Sequence, residues 1–238
     1  MKIRLLPTEV CSNSSTKYNI DSNAYAFPFE EDPRKIREYR EKLNLERVLT
    51  IASGGGIPLL IFLELGAKRV DVIDISRNSL ALAALRLGAA MNDVHARFSR
   101  LLFFNSPEFI PLVRRILSFS PEIGEIIAKL GVDIGELSTN SIKPTDGSYL
   151  EDFTEYEIQP AEVNFILLDI SNINPKDYTT IFLSNVLSYN LSNMAGFIKN
   201  VSDASDVIFT IAGYPEIFVL TGKEFKDRLL PLCQPQHF

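Results

Sequence analysis

The stretch RVLTIASGGGIPLLIFLELG, from Arg47 to Gly66, combines three kinds of local structure. Residues 47–53 begin it with an apolar run of the kind that is buried in a parallel sheet. A serine and three glycines follow, and residues 57–65 then have the composition of a buried helix that ends at Gly66. The sequence therefore predicts a strand, a glycine turn and a helix in immediate succession.

A glycine turn between a buried strand and a helix brings backbone N–H groups close to a ligand, because no side chain fills the space. A dinucleotide, a phosphate, S-adenosylmethionine (SAM) or no ligand is compatible with this stretch alone. The six residues from Gly54 read G-G-G-I-P-L, which lacks the last glycine of the dinucleotide pattern. The Gly-Lys-Ser/Thr ending of a phosphate loop is also absent. Three consecutive glycines still favour a ligand site over a simple tight turn.

Strands and helices continue to alternate along the chain. A second strand, RVDVIDI, is predicted over residues 69–75 and an apolar helix over 77–92. Later elements are predicted as strands over 163–169, 179–186 and 206–212, a helix near 190–200, and a further strand and short helix in the tail. This alternation predicts a Rossmann-like α/β fold, in which a mostly parallel twisted sheet is flanked by helices.

Two segments depart from the alternation. Residues 1–31 show no regular period and are predicted to form an irregular N-terminal arm, after which Asp32 and Pro33 suit a helix start. Residues 93–150 contain no convincing strand, and two apolar stretches in this segment each begin with Ser-Pro-Glu, which is typical of helix N-termini. We therefore expect one domain over residues 1–238, with the N-terminal arm and a helical insertion at about 93–160.

The composition is that of a globular protein with a substantial core: 238 residues, 46% of them hydrophobic, with a net charge of −6. No dense cluster of lysine and arginine is present, which disfavours nucleic acid as a partner. Two histidines and no cysteine pair with zinc spacing argue against a metal site. Cys11 and Cys233 are interpreted as reduced thiols, with a bridge between them as the alternative. Without a signal peptide or a bilayer-spanning run, we expect a cytoplasmic protein.

Two carboxylates follow predicted strands. Asp74 ends the second strand, 20 residues after Gly54, where an acidic side chain can accept hydrogen bonds from both hydroxyls of a ribose. The alternative is a helix cap, although Ser76 can also serve as one. Asp169 ends the third strand, where it can accept from an adenine amino group or cap a turn, and local sequence does not separate these roles. We expect Asp74, Ile75, Ser76, Asp169 and Ile170 to contact a nucleoside.

The fourth predicted strand ends in further polar residues. Ser184 and Asn185 are expected to contact the ligand together with Ser53 of the glycine turn, because carboxyl ends of parallel strands line the same crevice. Asn185, Tyr189 and Tyr214, which follows the fifth strand, are the candidate catalytic residues. The alternative for the two tyrosines is ordinary packing.

The ordered set of Gly54, Gly55, Gly56, Asp74, Asp169 and Asn185 resembles the class I SAM-dependent methyltransferase fold over roughly residues 44–92 and 160–215. In that family the glycine turn meets the methionine part of SAM, the acid after the second strand meets the ribose, and the acid after the third strand meets adenine. The resemblance therefore implies SAM as the cofactor.

A narrower resemblance concerns VLTIASGGGIPLLIFLELGAKRVDVIDISRNSLALAALRLGAA, IFLSNVLSY and the upstream FEEDP. These stretches are similar to the 3-amino-3-carboxypropyl transferases that act on diacylglycerol in betaine-lipid synthesis. This chain is shorter and has Ser76-Arg77 where that family usually has Asn-Pro. The resemblance implies transfer of an aminocarboxypropyl group to a lipid or small-molecule acceptor.

Three functional hypotheses remain open from the sequence. The first is a SAM-dependent transferase, moving an aminocarboxypropyl group or, as the runner-up, a methyl group. The second is a non-catalytic SAM- or nucleotide-binding module, which a short C-terminal part of the fold favours. The third is an NAD-dependent oxidoreductase, which the incomplete dinucleotide pattern disfavours.

Overall fold

A computed structural model of the chain describes residues 1–7, 32–135, 137, 154–212 and 214–233. Most of the predicted N-terminal arm, including Cys11, lies outside these residues. Cys233 lies within them as a free thiol that donates to the carbonyl oxygens of Leu191 and Leu229.

One sheet of seven strands runs through the described residues. In chain order the strands are β1 (Lys2–Leu5), β2 (Val48–Ile51), β3 (Arg69–Asp74), β4 (Glu162–Leu167), β5 (Thr180–Phe182), β6 (Asp206–Ile211) and β7 (Tyr214–Thr221). Their spatial order is β1-β4-β3-β2-β5-β6-β7, and β7 pairs antiparallel with β6 while the other pairs are parallel. The predicted Rossmann-like, mostly parallel α/β architecture is confirmed.

Strand β1 was not predicted, since the whole of residues 1–31 was expected to be irregular. It pairs parallel with β4 at one edge of the sheet, with Ile3 opposite Val163 and Leu5 opposite Phe165. Basic and apolar residues alternate along its four positions, which is a half-buried strand pattern too short to stand out. Its pairing depends on β4, which lies about 160 residues later in the chain.

Eight α-helices whose bounds lie within the described residues flank the sheet. They are α1 (Ile57–Glu64), α2 (Arg77–Met91), α3 (His95–Phe103), α4 (Phe109–Phe119), α5 (Pro121–Leu130), α6 (Val186–Asn190), α7 (Ala195–Asn200) and α8 (Gly222–Leu229). The helix predicted near 190–200 is broken, because the tighter 3₁₀ turn Leu191–Met194 separates α6 from α7. A 3₁₀ helix over Pro33–Lys42 is capped by Asp32, whose side chain accepts from the backbone N–H of Arg34.

Two apolar clusters lie on opposite faces of the sheet, because successive strand residues point to opposite sides. The face that carries Val48, Val72 and Phe182 packs against α1 to α5. The face that carries Leu49, Ile73 and Ile181 packs against the helices that follow β5. Both faces are covered, which explains why the parallel strands are apolar without alternation.

The helical insertion contains α3, α4 and α5, which agrees with the two or three helices predicted there. These helices pack around α2, nearly all of which is buried as its apolar composition predicts. A Cβ atom added at Gly88 of α2 would lie 2.9 Å from Cγ2 of Ile116 in α4. The small residue therefore permits a close approach of the insertion to α2.

The two Ser-Pro-Glu segments behave differently from the prediction. Pro121 occupies the first position of α5, as expected, but Ser120 does not cap it and instead accepts a hydrogen bond from Asn92. Helix α4 begins at Phe109, after its Ser-Pro-Glu segment. The tertiary contact to Asn92 satisfies the Ser120 hydroxyl in place of a cap.

No helix in the described part of the chain is long and apolar enough to cross a membrane.

Candidate functional site

The glycine turn joins β2 to α1 in an unusual backbone conformation. Gly54, Gly55 and Gly56 have φ values of 55°, 64° and 93°, all in the left-handed region. Residues with a side chain rarely adopt this region, and three in succession effectively require glycine. At Gly56 space is also limiting, because an added Cβ would lie 2.6 Å from Cβ of Ala83 in α2. The turn and the second helix therefore approach each other closely.

The turn stands where the strand order changes direction. From β2 the chain continues to β3 on one side, and it later returns to β5 on the other side. In an open α/β sheet such a switch point leaves a crevice at the carboxyl ends of the strands. The hydroxyl oxygens of Ser53 and Ser184 lie 3.2 Å apart across this point, which joins the glycine turn to the end of β5.

Backbone hydrogen bonds hold the other strand ends at the same edge. Ala52 N–H donates to the carbonyl oxygen of Ile73 at 3.1 Å, and Leu168 N–H donates to that of Asp74 at 3.0 Å. Across the switch point, Thr210 N–H donates to the carbonyl oxygen of Ser184 at 2.9 Å. The predicted ligand residues that follow β2, β3, β4 and β5 therefore lie side by side at the carboxyl ends of these strands.

Asp74 is partly buried at the end of β3, and its carboxylate accepts from the backbone N–H of Ser76 at 2.8 Å. Burial raises its pKa from the ordinary 3.8 to about 6, against the lowering effect of the backbone N–H groups of Ser76 and Ile75. Ser76 accepts from the N–H of Ser79 and so caps α2. Asp74 is therefore not needed as the helix cap, which leaves the predicted ribose role open to it.

Asp169 performs the turn-capping role that was its alternative. Its Oδ1 accepts from the backbone N–H of Ser171 at 2.9 Å and from the Ser171 hydroxyl at 2.8 Å. These bonds orient a half-buried carboxylate next to the end of β4. The neighbouring Ile170 packs into the apolar cluster on the side of the sheet away from α1. The adenine contact of Asp169 remains a prediction.

The end of β5 carries the predicted catalytic residues. Ser184 is buried and has a φ of 48°, a left-handed conformation that is uncommon for serine and typical of strained functional positions. Asn185 is half-buried, precedes α6 without capping it, and its side chain forms no hydrogen bond with the described residues. Tyr189 and Tyr214 are 64% and 59% exposed, so the packing alternative does not account for them. Their catalytic roles remain predictions.

Two further residues near the carboxyl ends of the strands were not predicted from the sequence. The Thr210 side chain is buried beside Ser184, and its Oγ1 has no hydrogen-bond partner in the described part of the chain. An orphaned hydroxyl is costly, and a polar ligand group or a water at this edge would satisfy it. Arg86 of α2 is fully buried and donates from Nε to the carbonyl oxygen of Gly55 at 3.0 Å. For Arg86, the available signal was an arginine in the middle of an otherwise apolar part of the helix.

The residues at the edge suit an organic ligand with hydroxyl and amino groups. They offer carboxylate, amide and hydroxyl oxygens together with glycine backbone that a ligand can approach closely. No group of three or more histidine, cysteine, aspartate or glutamate side chains in the described ranges is placed to hold a metal ion.

No protein-family model matches this chain, and no curated protein sequence matches it significantly. The functional assignment therefore rests on the geometry and chemistry of the candidate site.

Proposed function

We propose that this chain is a SAM-dependent transferase, which moves a 3-amino-3-carboxypropyl group, or a methyl group, from SAM to a small-molecule or lipid acceptor. The observation that carries the proposal is the left-handed glycine turn at the switch point of the sheet, with carboxylates following the next two strands on one side. Ligands of open α/β sheets bind in the crevice at such a switch point. The missing dinucleotide and phosphate-loop residues favour an adenosyl ligand among those that bind there.

In this proposal, the residues would contact the parts of SAM in the order in which the strands present them. Asp74 would accept hydrogen bonds from the two ribose hydroxyls, and with a pKa of about 6 it is mostly ionised at neutral pH. Asp169 would accept from the adenine amino group. Gly54, Gly55 and Gly56 would lie against the methionine arm, because their backbone can approach a ligand closely.

When bound, SAM supplies a sulfonium whose three attached carbon atoms are activated towards a nucleophile. The protein then needs to position the acceptor in line with one of these carbons and to exclude water. Asn185 has an amide that can orient a polar acceptor group at the switch point. The hydroxyls of Ser53 and Ser184 join the glycine turn to the end of β5, and this pair would line one wall of the proposed crevice.

The surroundings of this edge favour an acceptor with an apolar part. Tyr189, Ile211 and Tyr214 are large apolar or aromatic residues with exposures of 64%, 41% and 59%. Ile211 pairs with Tyr214 at the turn between β6 and β7, which places both beside the end of β6. Exposed apolar residues at the mouth of a crevice commonly mark a binding surface.

Isothermal titration calorimetry with SAM tests the binding step. Wild-type protein is expected to bind SAM, and Asp74→Asn is expected to weaken binding about tenfold, because the amide accepts less strongly than a carboxylate. Asp177→Asn is the matched control, since Asp177 is 72% exposed and precedes the amino end of β5, away from the candidate site. A heat signal with NAD and none with SAM would overturn the proposal.

Product analysis tests the transfer step. Incubation with SAM and candidate lipid or small-molecule acceptors is expected to release methylthioadenosine, which indicates aminocarboxypropyl transfer. Release of adenosylhomocysteine would instead assign methyl transfer. SAM binding without either product across the acceptor panel would contradict a transferase and favour the non-catalytic binding module.

A further inference from the structure

Arg86 lies directly behind the glycine turn and is completely buried. Its Nε donates to the Gly55 carbonyl oxygen at 3.0 Å, and its Nη1 donates to the Ser99 hydroxyl at 2.8 Å. Nη1 also lies 3.1 Å from Nε2 of His95. The guanidinium therefore connects the middle glycine of the turn to the first helix of the insertion.

His95 is held in the tautomer that accepts from Arg86. Its Nδ1 lies 2.7 Å from the carbonyl oxygen of Thr154, which can only accept, so Nδ1 carries the proton and Nε2 is free to accept. Burial and, to a smaller extent, the adjacent Arg86 charge lower the His95 pKa from its ordinary 6.5 to about 3, so the ring stays neutral. The Glu155 carboxylate accepts from the N–H groups of His95 and Ala96 and fixes the start of α3.

The glycine turn needs such an external support. Glycine loses more backbone freedom on ordering than any other residue, so three in succession have no intrinsic preference for one conformation. A charge-assisted hydrogen bond to the central carbonyl selects the conformation in which that carbonyl faces α2. The turn then presents one fixed surface towards the switch-point crevice.

We infer that Arg86, oriented by His95 and Ser99, is a positioning residue that holds the glycine turn in the conformation that binds the methionine arm of SAM. This inference rests on the proposed function for the identity of the ligand. It adds a residue that does not touch the ligand, and it links the helical insertion to the shape of the site.

The test compares SAM with methylthioadenosine, which lacks the arm at the glycine turn and has a neutral thioether in place of the sulfonium. Arg86→Met is expected to weaken SAM binding about tenfold in calorimetry and to change methylthioadenosine binding by less than about threefold, because methylthioadenosine lacks the aminocarboxypropyl arm. Arg97→Met is the control, since Arg97 is an exposed arginine of α3 that pairs with Glu108 at 3.0 Å. Equal weakening of both ligands would overturn the positioning role and indicate a general loss of structure.

Two histidine variants keep the inference testable if Arg86→Met does not fold. His95→Gln retains an acceptor near the position of Nε2, whereas His95→Asn retains only the donor towards Thr154. The ratio of SAM affinity to methylthioadenosine affinity is expected to fall about threefold in His95→Asn and to stay near wild type in His95→Gln. The reverse order, or no change in either variant, would overturn the inference.

Amide hydrogen exchange separates this inference from the proposed function. In protein without ligand, His95→Asn is expected to speed exchange in residues 53–57 relative to His95→Gln, with β3 unchanged. This result together with no SAM binding by wild type would overturn the proposed function and retain the support of the turn by Arg86. Unchanged exchange in the turn would overturn that support even in a protein that binds SAM.

Discussion

Gly56 is a glycine for two independent reasons, its φ of 93° and its contact with α2. The sequence predicts a glycine turn after the buried strand, and the structure adds that its three glycines are left-handed. The contact with α2 is not predicted, because Ala83 approaches Gly56 only when α2 packs behind the turn. A single position thus joins the shape of the turn to the packing of the helix layer.

Gly56→Ala is expected to lower the free energy of unfolding by about 2–4 kcal/mol, since a left-handed alanine costs about 1–2 kcal/mol and the contact with Ala83 adds overpacking. Chemical denaturation measures this change. Gly124→Ala is the control, because Gly124 lies inside α5 with nothing within 4 Å of an added Cβ. There alanine is expected to stabilise the protein by about 0.5–1 kcal/mol. A neutral Gly56→Ala would contradict the packing described here.

The raised pKa of Asp74 predicts that the free energy of unfolding depends on pH, and burial of the carboxyl group sets the sign. Its folded pKa of about 6 lies above its ordinary 3.8, so the folded state holds the proton more tightly than the unfolded state between these values. The Asp74 contribution to the free energy of unfolding is therefore full below pH 4 and is lost as the pH rises to about 6.

Unfolding of wild type and Asp74→Asn at pH 4 and pH 7 measures this loss. Wild type is expected to lose about 2 kcal/mol relative to Asp74→Asn over that interval, less than the full rise in pKa implies, because Asp74 is only partly buried. The asparagine variant serves as the reference in which this group cannot titrate. If wild type instead gained stability relative to Asp74→Asn between pH 4 and pH 7, the raised pKa would be contradicted.

Polar side chains connect neighbouring elements at the amino ends of the strands, opposite the candidate site. Asp71 of β3 is buried and accepts from Arg69, from Asn164 of β4 at 2.6 Å and from the Tyr178 hydroxyl at 2.8 Å. These hydrogen bonds, with Arg69 the strongest, hold the Asp71 pKa below its usual range despite burial. Burial and the Asp71 charge raise the pKa of the Tyr178 phenol.

The same group of side chains continues to β1. Arg4 donates from Nε to the Asn164 side-chain oxygen at 2.7 Å and also binds Glu162. An edge strand of four residues has few backbone hydrogen bonds, so these side-chain contacts add to its retention in the sheet. Because β1 has only four residues, its attachment to the sheet depends strongly on the side-chain contacts of Arg4.

Arg4→Met is expected to speed amide exchange at Leu6, whose N–H donates to Phe165, about fivefold, because the ion pair is only partly buried. Exchange at β3 is expected to stay unchanged. Lys2→Met is the control on the same strand, since Lys2 is exposed. Equal acceleration by both substitutions would show that net charge, rather than the Arg4 contacts, retains the strand.

At the scale of the whole molecule, α2 is the central element. One part of it contacts the glycine turn through Ala83 and Arg86, and another approaches the insertion at Gly88. The candidate site is therefore supported from behind by the insertion, although the insertion interrupts the α/β alternation in the chain. This arrangement accounts for the burial of nearly every residue of α2.

The sequence by itself determined the α/β class, the glycine turn between a strand and a helix, and the polar residues at the strand ends. These features depend on local patterns, namely apolar runs of strand or helix length and the conformational freedom of glycine. The tertiary structure alone decided the pairing of β1, the contact of Ser53 with Ser184 across 131 residues, and the position of Arg86 beneath Gly55. Each of these joins residues that are distant in the chain, so packing of complete elements brings them together and no local pattern records them.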